Sequence, residues 1–277
     1  RIMFKVMVYG PHCGIYSCRK LESACHRDIN FRWLLAGHEA PSKSQIAEFR
    51  RHRLQGVVEG LFCQMALVLH RLGETSFDHL FVDGTKLEAN ANKYSFVWKS
   101  SVNKFQKKRD TKEISFLRQI NQTYGEGIKS IEETAVFLTE KAIDSGLEFV
   151  YGKGRHKTQL QRDVEQATEL LEKKQRYNKY QSTFKGRNSF SKTDTDATFM
   201  HMKDDHMRNS QMKPGYNVQI GVSGEYIVGV DISSERNDQL TLIPLLERME
   251  RGLGQKHQAV VADAGYESEE NYTHLEN

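Results

Sequence analysis

The sequence predicts a mixed α/β protein, with a helical N-terminal domain (residues 1–74) followed by an α/β core (residues 75–277). Three observations support this fold class. Apolar residues recur at helical spacing up to residue 74, and short apolar strands begin only after residue 77. A long stretch with helical periodicity then separates the first strand from the second, so we expect the core to carry a helical insertion over residues 84–213.

The composition is that of a globular protein with room for a sizeable core, since 38% of the 277 residues are hydrophobic and 27% are charged. No segment approaches the roughly 20 apolar residues that a membrane-spanning helix needs, and no signal peptide is visible. Four cysteines are too few for a disulfide scaffold. Three of them lie near His12 and His26, but their spacing does not match a zinc motif, which favours ordinary thiols. We therefore expect a cytoplasmic protein with no membrane partner.

Helix signals and basic residues characterise the N-terminal domain. Ser42 and Gln45 have capping-box spacing at the start of one helix. Another helix, over residues 57–72, has apolar residues on most faces, which predicts that it is buried. The predicted helices carry the basic residues Arg19, Lys20, Lys43 and Arg50. They indicate a helix-turn-helix-like DNA-binding head, although helical bundles with surface arginines are common.

Two apolar strands of the core each end in an aspartate. Residues 80–82 run directly into Asp83, and residues 259–262 run directly into Asp263. Both runs are continuously apolar, so we expect both strands to be buried. Each would deliver a carboxylate at its C-terminal end.

A hairpin and a helix separate these two strands. Residues 216–222 alternate between apolar and polar side chains, which predicts a strand whose apolar side chains are buried. A turn then leads into residues 226–232 as the second strand of the hairpin. Asn237 or Asp238 is expected to cap the helix that follows, and Gly252 to end it.

The insertion is predicted to contain two helices and to be basic. One helix spans about residues 128–145, and another begins at Leu160 with a seam of apolar residues at coiled-coil-like spacing. Residues 84–213 contain 25 Lys and Arg against 17 Asp and Glu, whereas the remainder of the chain contains 15 against 19. A basic insertion on a mildly acidic scaffold suits DNA as a partner. A solvated helical surface explains the charge equally well.

The order of strand, hairpin, helix and strand is that of ribonuclease-H-like nucleases, in which the first and fourth strands lie side by side. Asp83 and Asp263 would then meet, although 180 positions separate them in the chain. Two adjacent carboxylates disfavour each other's ionised form unless a cation lies between them, and Mg²⁺ prefers oxygen ligands. A pair of such ions can activate an attacking oxygen and stabilise a leaving oxygen at a phosphodiester. The sequence therefore predicts a metal site suited to phosphodiester chemistry.

The aspartates also have simpler interpretations. An aspartate-glycine pair after a strand is often only a turn, so neither Asp83 nor Asp263 is decisive alone. Asp231 lies within a hairpin strand and is interpreted as structural or exposed. A solvated loop is the favoured interpretation for the aspartates on the polar approach to the hairpin, which are Asp194, Asp196, Asp204 and Asp205.

Four segments resemble the DDE transposases of bacterial insertion sequences. They are residues 82–92 (VDGTKLEANAN), 191–197 (SKTDTDA), 213–219 (KPGYNVQ) and 261–266 (VADAGY). The N-terminal part also resembles the helical domain that precedes the catalytic core in this family. The resemblance covers nearly the whole chain.

The resemblance implies an enzyme that cleaves DNA at the ends of an insertion sequence and transfers the strands to target DNA. Asp83 and Asp263 would be the first two of three catalytic acids, with two Mg²⁺ or Mn²⁺ ions in the complete site. Lys86 and Asn90 would lie near the DNA strand. The implied partners are the terminal inverted repeats, the target DNA and a second copy of the chain, and the implied location is the nucleoid.

The third acid of the family is a glutamate well beyond the second aspartate, but this chain ends fourteen residues after Asp263. The resemblance therefore implies a transposase that is truncated at its C-terminus and cannot itself transpose. Two other functions fit the same features. One is a catalytically dead relic that only binds DNA, and the other is a non-transposing nuclease of the same fold.

Overall fold

The computed structural model describes residues 1–152, 156–202 and 211–276. Its internal contacts form two compact units. The first unit comprises Arg1–Val82, Ile220–Val230 and Pro244–Ala262. The second comprises Asp83–Gln219, Asp231–Ile243 and Asp263–Asn277.

The N-terminal part is helical, as predicted. Its elements are α1 (Ile2–His12), α2 (Cys18–Arg27), α3 (Ile29–Leu35), α4 (Lys43–Glu48), a π-helical turn (Phe49–Leu54) and α5 (Val58–Arg71). Helices α1 to α4 pack around the fully buried side chains of Val6, Leu21, Phe31 and Ile46. The predicted capping box at the start of α4 is formed, because Ser42 Oγ accepts the Gln45 N–H while Gln45 Oε1 accepts the Ser42 N–H.

The expectation that α5 is buried was wrong. Ala66 is its one fully buried residue, and Val58, Met65 and Val68 are 54%, 48% and 42% exposed. A helix with apolar residues on most faces can bury only the face that packs, so the remaining apolar side chains stay in contact with solvent.

The described strands form one five-stranded sheet and one two-stranded ladder. They are β1 (His79–Glu88), β2 (Phe96–Trp98), β3 (Ser189–Ser191), β4 (Thr198–His201), β5 (Met212–Ser223), β6 (Tyr226–Ser233) and β7 (Ala259–Ala262). The larger sheet has the order β4–β5–β1–β7, with β6 paired to β5, and β2 pairs with β3. The mixed α/β fold class is thus confirmed. The short strands β2, β3 and β4 were not predicted.

Strands β1 and β7 lie side by side and run parallel, which confirms the predicted neighbourhood. Three details of the prediction were wrong. β1 is buried on one face only, since Leu80 and Val82 are buried whereas Phe81 is 51% exposed. β1 continues five residues beyond Asp83 to Glu88, so Asp83 is not its last residue, although the pairing with β7 does end at Val82. β7 is half exposed rather than buried, because only β1 flanks it in the sheet.

The insertion contains three long helices, α6 (Lys99–Tyr124), α7 (Ile131–Asp144) and α8 (Gln159–Phe184). α7 and α8 correspond to the predicted helices, whereas α6 was not predicted. The helices enclose an apolar core that includes Phe116, Ile120, Ile131, Leu138 and Ala167. The C-terminal end of α6 lies beside the N-terminal end of α8, where the Tyr124 hydroxyl donates to Asp163 Oδ2 at 3.0 Å.

Two further helices complete the described chain, α9 (Leu242–Leu253) and α10 (Glu269–Glu276). The prediction that Gly252 ends α9 was wrong, because the helix includes Gly252 and is followed by Gly254, whose φ is 76°. Only glycine adopts that left-handed conformation without a steric cost. Within the described residues, no helix is both long and apolar enough to cross a membrane.

Candidate active site

Asp83 and Asp263 directly follow the last paired residues of two neighbouring parallel strands, β1 and β7. Phe81 pairs with Val261 and Val82 pairs with Ala262, so the aspartates are the next residue on each strand. Asp83 Oδ1 accepts the Gly84 N–H at 2.7 Å, and Asp263 Oδ1 accepts the Gly265 N–H at 2.9 Å. Both side chains are exposed. The fold therefore presents two oriented carboxylates to solvent at one edge of the sheet.

The polar face of β5 is buried beside this edge, contrary to the prediction that only its apolar face is buried. Asn217 and Gln219 are both 0% exposed. Asn217 Nδ2 donates to Asp238 Oδ1 at 2.7 Å, and Gln219 Nε2 donates to Asn217 Oδ1 at 2.9 Å and to Asp238 Oδ1 at 3.3 Å. Gln219 Oε1 accepts the Tyr266 hydroxyl. These hydrogen bonds offset the cost of removing two amides from water.

The Gln219 carboxamide also explains the glycine that follows Asp83. A Cβ atom at position 84 would lie 2.6 Å from Gln219 Nε2 and 2.8 Å from Oε1. Glycine is therefore required for this close approach rather than for a turn. The Asp83-Gly84 backbone lies directly against the buried amide network.

Asp238 is a third carboxylate in this region, and the sequence analysis treated it only as a possible helix cap. Its Oδ2 lies 3.7 Å from the position of a Cβ built on Gly265. Burial raises the pKa of the Tyr266 hydroxyl, and the charges of Asp238, Asp83 and Asp263 raise it further. Three carboxylates therefore act on one buried hydroxyl. The signal that could have revealed Asp238 is the pair of amides at alternating positions on β5.

The other aspartates differ from one another in burial and in hydrogen bonding. Asp194 was expected in a solvated loop, yet its carboxylate accepts the Tyr216 hydroxyl at 3.0 and 2.9 Å. Asp196 is exposed, as expected for such a loop. Asp231 is buried, with 5% of its surface exposed. Asp204 and Asp205 lie outside the described residues.

The DNA-contact candidates occupy two separate places. Arg19, Lys20 and Lys43 are exposed on the N-terminal helices. Arg50 is also exposed, and its guanidinium donates to the Tyr16 carbonyl at 3.3 Å. In the other unit Asn90 is exposed and Lys86 is half-buried on β1.

The two site aspartates suit a divalent cation by their chemistry. They supply the carboxylate oxygens that Mg²⁺ and Mn²⁺ prefer, and they are accessible from solvent. Over residues 1–152, 156–202 and 211–276, no three His, Cys, Asp or Glu side chains are arranged to hold a metal ion. Asp83 and Asp263 are therefore two candidate carboxylate ligands, and the described residues add no third to them. The four cysteines are free thiols.

Comparison with protein families identifies the family of the chain. Residues 1–52 match the family model described as a transposase domain (DUF772), and residues 187–277 match the transposase DDE domain. The chain belongs to the DDE transposases of insertion sequences. No curated protein and no solved structure matches it.

The two matches leave part of this transposase uncovered. Asp238 and Asp263 lie within the matched DDE domain, whereas Asp83 and the three insertion helices lie between the matched ranges. Membership of the family implies DNA as a partner and a divalent metal as a cofactor.

Proposed function

We propose that Asp83 and Asp263 are the metal-binding carboxylates of a transposase type that cleaves DNA at the ends of a bacterial insertion sequence and joins the freed 3′-hydroxyls to target DNA. The observation that carries the proposal is the parallel register of β1 and β7, which brings two aspartates 180 positions apart in the chain to the same edge of the sheet. The DNA it acts on lies in the nucleoid.

Backbone N–H groups orient the two aspartate side chains of the proposed site. The N–H groups of Gly84 and Gly265 each hold one carboxylate oxygen, so the aspartates have defined orientations before a ligand arrives. Two neighbouring negative charges favour occupation by a cation. When bound, Mg²⁺ or Mn²⁺ supplies activation of the attacking oxygen and stabilisation of the leaving oxygen. Because the described residues bring no third ligand to the pair, we expect the 277-residue chain to bind the cation weakly and not to transpose.

Two surfaces are proposed to bind double-stranded DNA at the terminal repeats. One is the N-terminal helical head, where Arg19, Lys20, Lys43 and Arg50 present exposed cations. The other is the core, where Lys86 and Asn90 follow Asp83 along the chain. Joining two DNA ends in one complex requires two copies of the site, so we expect a homodimer during the reaction.

A basic groove on the insertion extends the proposed DNA surface. It is a cavity of about 560 Å³ beside α8 and β3. Its lining includes the exposed cations Arg176, Lys179 and Lys192. Tyr180 and Phe190 also line it and contact each other edge to face, with ring centroids 5.6 Å apart. Cations around a concave surface suit the phosphate backbone of DNA.

The groove can be tested by charge removal with a matched control. The test variant replaces Arg176, Lys179 and Lys192 with Gln. The control variant makes the same charge change at exposed positions towards the other end of the insertion, Arg118, Lys129 and Lys141. Each lost phosphate contact should weaken the dependence of log affinity on log salt concentration by about 0.9. A smaller salt slope in the test variant alone is expected, and equal slopes in the two variants would contradict the assignment.

The catalytic assignment can be tested without turnover. Fe²⁺ bound in place of Mg²⁺ generates hydroxyl radicals with ascorbate and peroxide, and these cut nearby polypeptide. We expect cuts near Asp83 and Asp263 that disappear in Asp83→Asn and in Asp263→Asn but persist in Asp144→Asn, an exposed aspartate at the end of α7. Cuts that persist in the first two variants would refute the site.

The other functions are distinguished by DNA assays on the same protein. Binding of DNA without localised iron cleavage favours a protein that only binds DNA. Mg²⁺-dependent nicking of plasmid DNA without strand joining favours a non-transposing nuclease. Nicking together with joining would show that the expectation of an inactive 277-residue chain is wrong.

A further inference from the structure

We propose that Asp238 is a positioning residue for the catalytic aspartates, which it controls by fixing the orientation of the buried Gln219 amide. This inference rests on the proposed function of Asp83 and Asp263. It adds a residue from the β6–α9 connection to a site built on β1 and β7.

Thr241 holds the backbone of Asp238 in place. The Asp238 backbone carbonyl accepts the Thr241 N–H at 3.0 Å and the Thr241 hydroxyl at 2.7 Å. Thr241 is fully buried. The main chain of Asp238 is therefore fixed, and its side chain turns towards β5, where Oδ1 accepts from Asn217 and from Gln219. The carboxylate is used to hold these amides rather than to cap α9.

Asp238 fixes the orientation of the Gln219 side-chain amide. An ionised carboxylate only accepts hydrogen bonds, whereas a side-chain amide donates from one end and accepts at the other. Asp238 therefore requires Gln219 to turn Nε2 towards it, which leaves Oε1 to accept the Tyr266 hydroxyl. If the amide turned over, Nε2 would face the Tyr266 hydroxyl and Oε1 would face the carboxylate. The acceptor oxygen of Asp238 thus selects one of two otherwise similar arrangements.

Tyr266 belongs to the turn that directly follows Asp263. This is the 3₁₀ turn Ala264–Tyr266, and Tyr266 itself is 3% exposed. Asn271 Nδ2 donates to the Tyr266 carbonyl at 2.6 Å and to the Gln239 carbonyl at 2.9 Å. The turn that carries Asp263 is therefore clamped at the Tyr266 hydroxyl by Gln219 and at its backbone by Asn271. Releasing the first clamp would leave Asp263 on a looser turn.

The same amide supports the other aspartate. The Gln219 carboxamide lies against Gly84, next to Asp83. One buried amide therefore contacts the segments that carry both catalytic carboxylates. Partners behind metal ligands characteristically change metal affinity by about 10- to 100-fold when they are removed.

The test compares Asp238→Ala with Asp238→Asn, because asparagine keeps an oxygen that can accept from both amides. The first readout is hydrogen exchange of the 263–271 segment in the metal-free protein. Loss of one hydrogen bond should speed exchange there about tenfold in Asp238→Ala and much less in Asp238→Asn. The second readout is the Mn²⁺ dissociation constant, which should rise about tenfold or more in Asp238→Ala and recover largely in Asp238→Asn. Asp144→Ala is the matched control.

Hydrogen exchange tests the role of Asp238, whereas Mn²⁺ binding by the unmodified chain tests the proposed function of Asp83 and Asp263. Unchanged exchange in Asp238→Ala refutes the positioning role, whether or not metal binds. Equal loss of Mn²⁺ affinity in both variants, with exchange preserved in Asp238→Asn, also refutes it, because the charge would then act on the cation directly. Absence of Mn²⁺ binding in the unmodified chain counts against the proposed function, while the exchange readout still decides the role of Asp238. Unchanged exchange in helices α6 to α8 shows that a variant has folded.

Discussion

Replacement of Gly84 by alanine is the change that most directly tests the packing of the site. The added methyl group would lie 2.6 Å from Gln219 Nε2, about 0.8 Å inside the 3.4 Å at which ordinary contact begins. A flexible glutamine side chain would normally swing aside. Gln219 is 0% exposed, however, and both ends of its amide are hydrogen-bonded. Relief of the clash therefore requires either strain or the loss of a hydrogen bond.

These two costs set the expected magnitude. Overpacking a buried site costs about 1–3 kcal/mol, and losing one hydrogen bond adds about 1 kcal/mol. We expect Gly84→Ala to lower the free energy of unfolding by roughly 2–4 kcal/mol, measured by urea unfolding followed by circular dichroism and tryptophan fluorescence. Gly127→Ala is the control, since a methyl group there meets no atom within 4 Å.

A Gly84→Ala protein as stable as the Gly127→Ala control would refute this packing. A second test is the double variant Gly84→Ala with Gln219→Ala, in which the clashing carboxamide is absent. The two changes should then be strongly non-additive, because the second removes the obstacle that the first meets. Simple additivity would show that Gly84 and Gln219 are not in contact.

Three further predictions concern stability. Burial, followed by the hydrogen bond to Asp194, raises the pKa of Tyr216 from 10.0 to about 12. The stability contributed by this neutral hydroxyl is therefore complete below about pH 10 and is lost as the pH rises from about 10 to about 12. Tyr216→Phe should remove one late-titrating tyrosine from the ultraviolet absorbance titration. Arg187 is 9% exposed and donates to four backbone carbonyls, so Arg187→Ala should cost about 3 kcal/mol or more in urea unfolding. Ser42→Ala removes the capping box with Gln45 and should cost about 1 kcal/mol, measured by thermal unfolding. An unchanged tyrosine titration, or unfolding curves matching those of the exposed controls Lys185→Ala and Ser44→Ala, would contradict these expectations.

The sequence was sufficient to predict the features that depend on local pattern. An apolar run that ends in aspartate marked both β1 and β7, and the order of the intervening elements placed these strands together. The capping box at Ser42 and Gln45 is likewise a relation within one turn of helix. The strands themselves and the capping box depend on residues close together in the chain, whereas the pairing of β1 with β7 followed from the order of the elements.

The features that were missed depend on distant partners or on sparse patterns. Asn217 and Gln219 are buried because Asp238 and Tyr266 satisfy their amides, and alternation along one strand cannot show such partners. Helix α6 has 26 residues but buries only Val102, Arg109, Phe116 and Ile120, so its apolar stripe is too sparse to predict a helix. Gly252 was taken for a helix end, although glycine is also tolerated within a helix.

In the proposed site, Asp83 and Asp263 bind one divalent cation together. Calorimetric titration of Mn²⁺ into the purified chain, beside Asp83→Asn, Asp263→Asn and Asp144→Asn, tests it most directly. We predict measurable binding in the unmodified chain and in Asp144→Asn, and loss of that binding in each of the other two variants. Binding that survives either substitution at the proposed site would show that Asp83 and Asp263 do not share a cation.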